Sequence, residues 1–308
     1  MRAVILSGGV GGARFVQGAA AALDPADVTV VGNVGDDLEV LGLHVSPDLD
    51  TILYTLAGLA DEERGWGRCG ESWNALAAVA ELGCDAWFRL GDRDIALHLV
   101  RTEALQRGEP LSSVTALLAQ ALDVETTILP ATDDRLRTFL DTPAGRLAFQ
   151  TWFVARAHRD EVDGVLFEGA ETARPAPGVL EALADADIIV VAPSNPYVSI
   201  GPILAVEGIR RTLAERQAPA VAISPLVGGR AVKGPADRML RRIAGGTTPA
   251  HVASCYEGLI DALVLDESDG PAELPHGVRA VATRTLMTDD EARRKLAQAV
   301  LDAAGAVA

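Results

Sequence analysis

The segment Ser7-Gly8-Gly9-Val10-Gly11-Gly12 separates a short apolar run from a helical pattern expected to open at Ala13. Glycines at Gly8, Gly9, Gly11 and Gly12 let the backbone turn with φ > 0 and come within hydrogen-bonding distance of a phosphate. The helix that follows offers unpaired N–H groups and a partial positive charge to the same anion. Arg14 stands where a dinucleotide fingerprint has its third glycine, and no GK[ST] follows, so the motif names no particular nucleotide. A purely structural turn is the plainer alternative.

A second set is acidic: Asn33-Val34-Gly35-Asp36-Asp37, then Pro47-Asp48-Leu49-Asp50-Thr51. Like charges so close cost free energy unless a cation or hydrogen-bond donors compensate. Hard oxygen ligands suit Mg²⁺, which bridges one or two carboxylates and substrate phosphates. Asp48 or Asp50 can instead cap a helix beginning near Thr51, and Asp36 or Asp37 can bind a ribose hydroxyl. Asp50 is the strongest functional candidate of the set.

Two further groups carry polar chemistry. Arg89-Leu90-Gly91-Asp92-Arg93-Asp94 puts two arginines and two aspartates before a helix that bears His98. The arginines can clamp a phosphate or pair with their own aspartates, and His98 reads as a packed histidine. Ser194-Asn195-Pro196 and Ser224-Pro225-Leu226-Val227-Gly228-Gly229, with Lys233 beyond, end two apolar strands in hydroxyls, amides and a cation. They form a second rim for a base, ribose or phosphate, or simply stop the strands. Trp66, Trp73 and Trp87 cluster in one region and suit a stacking wall or a core. No serine–histidine triad is readable.

These groups need a scaffold, and the apolar runs at 3–6, 28–34, 188–192, 220–223, 262–265 and 278–282 supply one. Several are apolar at every position, as strands covered on both faces are. Strands alternating with helices predict an α/β fold, a Rossmann-like mainly parallel sheet whose ligands sit beyond the strand carboxyl ends. Residues 51–122 read as successive helices, an insertion flanking that edge within one domain spanning 1–308. Strand-like pieces return at 126–167. The last helix is expected to start at Thr288 with Glu291 completing a capping box.

The net charge of −16 disfavours nucleic acid and anionic membrane as partners, so an anionic nucleotide must be met by local devices. Three scattered cysteines fit reduced thiols, and no stretch approaches the roughly 18 apolar residues of a membrane span. A cytoplasmic location is expected.

Taken together, SGGVGGAR, NVGDD, SPDLDT, LGDRDIALHLVRT, LPATDDR, APSNPYVSIGPIL, SPLVGG and LMTD resemble the 2-phospho-L-lactate transferases of deazaflavin-cofactor biosynthesis, called phosphoenolpyruvate transferases in actinobacteria. The resemblance implies transfer of a phosphoenolpyruvyl or phospholactyl group from a GDP-linked donor to the deazaflavin Fo, with Mg²⁺ and release of GMP, by a homodimer. It implies that Asp50 and Arg89 contact Fo. The glycine turn, Ser194, Asn195, Ser224, Gly228 and Lys233 then belong to the guanosine site, and Asp50 with Asp36 or Asp37 to the metal. Asp50 or Asp36 would orient the acceptor hydroxyl or take its proton. A non-catalytic nucleotide-sugar-binding regulator of the related morphogenesis-factor family is the alternative, less similar because PDLDT and GDRD stand intact here.

Overall fold

Segments apolar at every position cannot leave either face in water, and in the computed structural model, which describes residues 1–307, they form the middle of one sheet. Its strands are β1 (Ala3–Ser7), β2 (Val28–Gly32), β3 (Thr127–Pro130), β4 (Ile188–Val191), β5 (Ala220–Ile223), β6 (Ala262–Asp266) and β7 (Arg279–Thr283). They lie side by side as β7-β6-β5-β4-β1-β2-β3, and every neighbouring pair is parallel. The expected fold class is therefore the observed one. The chain moves outward from β1 to β2 and β3, then returns to the other side of β1 at β4. That reversal opens a crevice at the carboxyl ends of β1 and β4.

The helices α1 (Gly9–Ala22), α2 (Pro47–Leu56), α3 (Asn74–Glu81), α4 (Asp92–Gln106) and α5 (Leu111–Ala121) follow, the last four inserted between β2 and β3 as expected. α2 begins earlier than the periodicity suggested, because Pro47 fits the first helical turn, where its missing N–H is no loss. A small hairpin, Leu38–Val40 with Leu43–Val45, precedes it. Between β3 and β4 the chain makes a separate antiparallel sheet of Arg137–Thr142, Gly145–Ala148 and Gly164–Glu168. The strand-like pieces in 126–167 are thus divided: β3 extends the main sheet and the others do not. The Thr138 amide, donating to Gly35 O at 2.8 Å, ties the small sheet to the loop after β2.

Two further expected helix starts are corrected. α1 opens at Gly9 rather than Ala13, since glycines without Cβ atoms can form its first turn against the neighbouring strand end. The C-terminal helix Asp290–Gly305 is capped by Asp289, which accepts from the Ala292 amide at 2.8 Å. Thr288 instead donates to Asp289, so the Thr288–Glu291 capping box does not form. Among the described residues no helix is long and apolar enough to cross a membrane.

Candidate functional site

Gly9, at φ +69°, swings the chain from β1 into α1 through a region that other residues avoid. The first turn of α1 carries no acidic side chain and Gly8 supplies no side-chain cap, so its amides lack partners within the helix; the Gly9 amide meets the Asp48 carboxylate and the Gly8 amide lies 3.4 Å from Ser194 Oγ. Its close packing forbids side chains. A Cβ on Gly11 would sit 2.9 Å from Pro193 O, and one on Gly12 would sit 2.6 Å from Ser194 Oγ. Ser194 joins the ends of β1 and β4 by donating to Gly8 O at 2.7 Å. The glycine turn and the SNP segment therefore meet, as one wall.

The acidic set folds against this wall, but in two groups. Residues two apart on a helix point in opposing directions, so Asp48 and Asp50 in the first turn of α2 face different partners. Asp48 lies over Gly8 and shares the Asn33 side-chain amide with Asp36: Asn33 Nδ2 donates to Asp48 at 2.8 Å and to Asp36 at 3.0 Å. Burial raises both carboxyls, Asp48 to about 6, against the Asn33 hydrogen bond that lowers each. Asp37 accepts from Ser46 Oγ at 2.8 Å and lies 3.0 Å from His44 Nε2, while its Oδ1 is buried without a partner.

Asp50 is committed elsewhere. Both its oxygens accept from the guanidinium of Arg101, a side chain with no exposed surface, and His98 Nδ1 lies 3.7 Å away. His98 accepts from the same guanidinium at 3.2 Å, which requires an unprotonated ring nitrogen. Burial accordingly lowers its pKa to about 4. His98 is a packed histidine, as its sequence position suggested. Tyr54 then donates to Asp94 at 2.8 Å, and burial raises Asp94 to about 6. The expected grouping of Asp50 with Asp36 or Asp37 is thus not a grouping of side chains sharing a partner; Asp48 shares one with Asp36.

The GDRD segment divides its labour. Asp92 accepts from Ser72 Oγ at 2.6 Å and from the amides of Asn74 and Ala75, capping α3, and its pKa falls to about 2. Glu71 caps α4 in return, accepting from the amides of Arg93 and Asp94. Arg89 is exposed and lies 4.6 Å from the centre of the Trp73 ring. On the far rim, Asn195 accepts from the Tyr197 amide at 3.0 Å and Ser224 from the Leu226 amide at 3.2 Å, so each shapes its own loop. Gly228 is exposed at φ +58°. Lys233 Nζ reaches the Gly65 turn of the insertion and lies where a side chain on Gly65 would begin.

Among the described residues no three acidic, histidine or cysteine side chains already enclose an ion. The donor set still suits magnesium. Two neighbouring carboxyls held toward protonation, with the unpaired Asp37 Oδ1 nearby, are relieved by a divalent cation whose other ligands are phosphate oxygens. Asp48, Asn33 and Arg101 were not singled out for these roles by sequence. Helix phase is the one signal that separates Asp48 from Asp50, and nothing in the spacing pairs Arg101 with a residue 51 positions earlier.

The chain is 45% identical over 313 residues to a Streptomyces griseus protein named phosphoenolpyruvate transferase, covering 99% of this chain and 98% of that one. It is 42% identical to a protein of the same name from Mycobacterium tuberculosis, with both chains covered completely. A Bacillus halodurans protein of the upf0052 family shares the fold at a TM-score of 0.63 and 17% identity, covering 98% of this chain and all of that one. Residues 3–304 match the family described as 2-phospho-L-lactate transferase CofD, and the chain belongs to that family of transferases.

Proposed function

We propose that the protein moves a phosphoenolpyruvyl group, or its 2-phospho-L-lactyl counterpart, from a GDP-linked donor to the deazaflavin Fo, releasing GMP, in coenzyme F420 biosynthesis. The observation that carries this reading is one juxtaposition: a glycine helix start with no side chain of its own, beside buried carboxyls that repel one another. An acidic protein with such a crevice fits a polyphosphate that brings a cation with it. The names of its relatives favour the enolpyruvyl donor.

In this reaction the terminal ribityl oxygen of Fo bonds to the phosphorus bearing the three-carbon acid. The bond from that phosphorus to the bridging oxygen breaks, GMP leaves with the electron pair, and the hydroxyl proton passes to solvent. The amides of the first α1 turn hold the diphosphate, and Ser194 keeps that turn against β4. Asp36 and Asp48, with Asp37 adjoining, are the carboxylates that would hold Mg²⁺, which when bound offsets charge on the phosphate oxygens. A loose phosphoryl transition state asks little of a base. The task of Asp50, fixed by Arg101, is therefore to orient the acceptor hydroxyl rather than to take its proton, while Arg89 holds the deazaflavin. Ser224, Gly228 and Lys233 complete the guanosine rim, and the working form is a cytoplasmic homodimer.

The test is mass spectrometry of the product formed from Fo, Mg²⁺ and each donor in turn. Fo carrying a phosphoenolpyruvyl group is expected. Absence of any phosphodiester adduct from both donors would overturn the proposal.

A further inference from the structure

Trp66 and Trp73 are not used by the transfer chemistry, and they are not core residues. Trp66 is 41% exposed, whereas Trp152, in the small sheet's apolar cluster, is 1% exposed. The two indoles meet edge to face, 6.5 Å apart, and the guanidinium of Arg64 lies 5.0 Å from the centre of each. Asp61 tethers that guanidinium at 2.5 Å and accepts from the Arg64 amide at 2.7 Å, and Lys233 packs against Gly65 in the same turn. Trp73 carries a second cation, Arg89, which among the described residues has no hydrogen bond and no ion pair. Arg89 therefore rests on the indole of Trp73, and that indole in turn meets Arg64 and Trp66.

We propose that Arg64 is a positioning residue for acceptor binding: anchored by Asp61, it sets the Trp73 ring and through it the aim of Arg89. The inference rests on the reading that Arg89 contacts the deazaflavin. Two guanidinium groups on one indole repel each other, which a merely structural stack gains nothing by keeping. The arrangement makes sense where one cation serves the ring and the other serves a ligand with oxygen acceptors on a flat heterocycle.

The test starts with fluorescence titration of Fo into the wild-type protein, then into Arg64→Met, Arg64→Lys, Arg89→Met and the Arg64→Met/Arg89→Met double variant. Arg64→Met is expected to weaken Fo binding and raise its KM by on the order of tenfold, with kcat and GDP affinity held. Arg64→Lys, which keeps a cation over the rings, recovers most of the loss. The double variant is expected to bind Fo no worse than Arg89→Met alone, because Arg64 acts through Arg89. Unchanged Fo affinity in Arg64→Met, additive losses in the double variant, or a parallel fall in GDP affinity would each overturn the assignment. Should Arg64→Met fail to fold, Trp73→Phe set against Arg89→Met carries the same comparison. Wild-type protein that binds GDP but not Fo removes the acceptor reading itself, a result visible before any variant is made.

Discussion

On the proposed reading, the groups that meet a ligand at the crevice between β1 and β4 are backbone amides, set by glycines on one continuous strand-to-helix connection. In the helical insertion they are the side chains of Asp50 and Arg89, held from separate segments by the buried Arg101 and by the Trp73 ring, with Tyr54 and Asp94 a second buried pair there. The nucleotide side is pre-organised by chain geometry and needs little room. The acceptor side is pre-organised by buried charges, each of which is costly unless its partner is present. Substitutions should accordingly harm the two sides in different ways.

The largest effect is expected on the acceptor side. Arg101→Met leaves Asp50 buried without its cation and should cost about 3–5 kcal/mol in urea unfolding, with the midpoint falling at constant slope. A loss below about 1 kcal/mol would show that the pair is not the strut described here. On the nucleotide side Gly12→Val meets Ser194 and should weaken GDP binding roughly a hundredfold, about 3 kcal/mol, in calorimetric titration, while Fo binding survives. Equal losses for both ligands would erase the distinction between the halves.

The carboxylates beside the glycine turn invert the sign. The Asp48 pKa is raised from 3.8 to about 6, so the folded state holds its proton where the unfolded chain has released it. Stability on this group's account is undiminished below pH 3.8, falls as pH rises toward 6, and stays lowered above that. Asp48→Asn should therefore stabilise the protein at pH 7.5 by about 1–3 kcal/mol, a gain that shrinks as pH falls toward 4. Thermal melts across that range measure it, and transfer activity should be lost in the same variant. A variant destabilised at pH 7.5 would mean the carboxylate is not repelled. The smallest effect belongs to a cap: Asp92→Ala should lower the melting temperature only slightly and leave both affinities intact.

The same contrast explains what could be read in the chain. Strands such as Ile188–Val191 are apolar throughout and declare both their type and their burial, so the sheet was legible. The glycine turn was legible because its chemistry is local. Asp92 and Asp94 looked alike, yet one caps α3 and the other meets Tyr54, a difference made by contacts 18 to 40 positions distant. Asp50 stood out as a functional candidate, but its arginine partner did not, since ion pairs between distant segments leave no trace in spacing. The Thr288–Glu291 pattern misled for a simpler reason: Asp289, one residue on, is an equally good cap and takes the place.

The most direct test is a crystal structure of the protein with GDP, Mg²⁺ and Fo. The diphosphate is expected against the amides of residues 9–12, with the cation between it and Asp36 or Asp48 and the ribityl chain reaching Asp50. A diphosphate bound away from the α1 start, with those amides facing only water, would contradict the central claim.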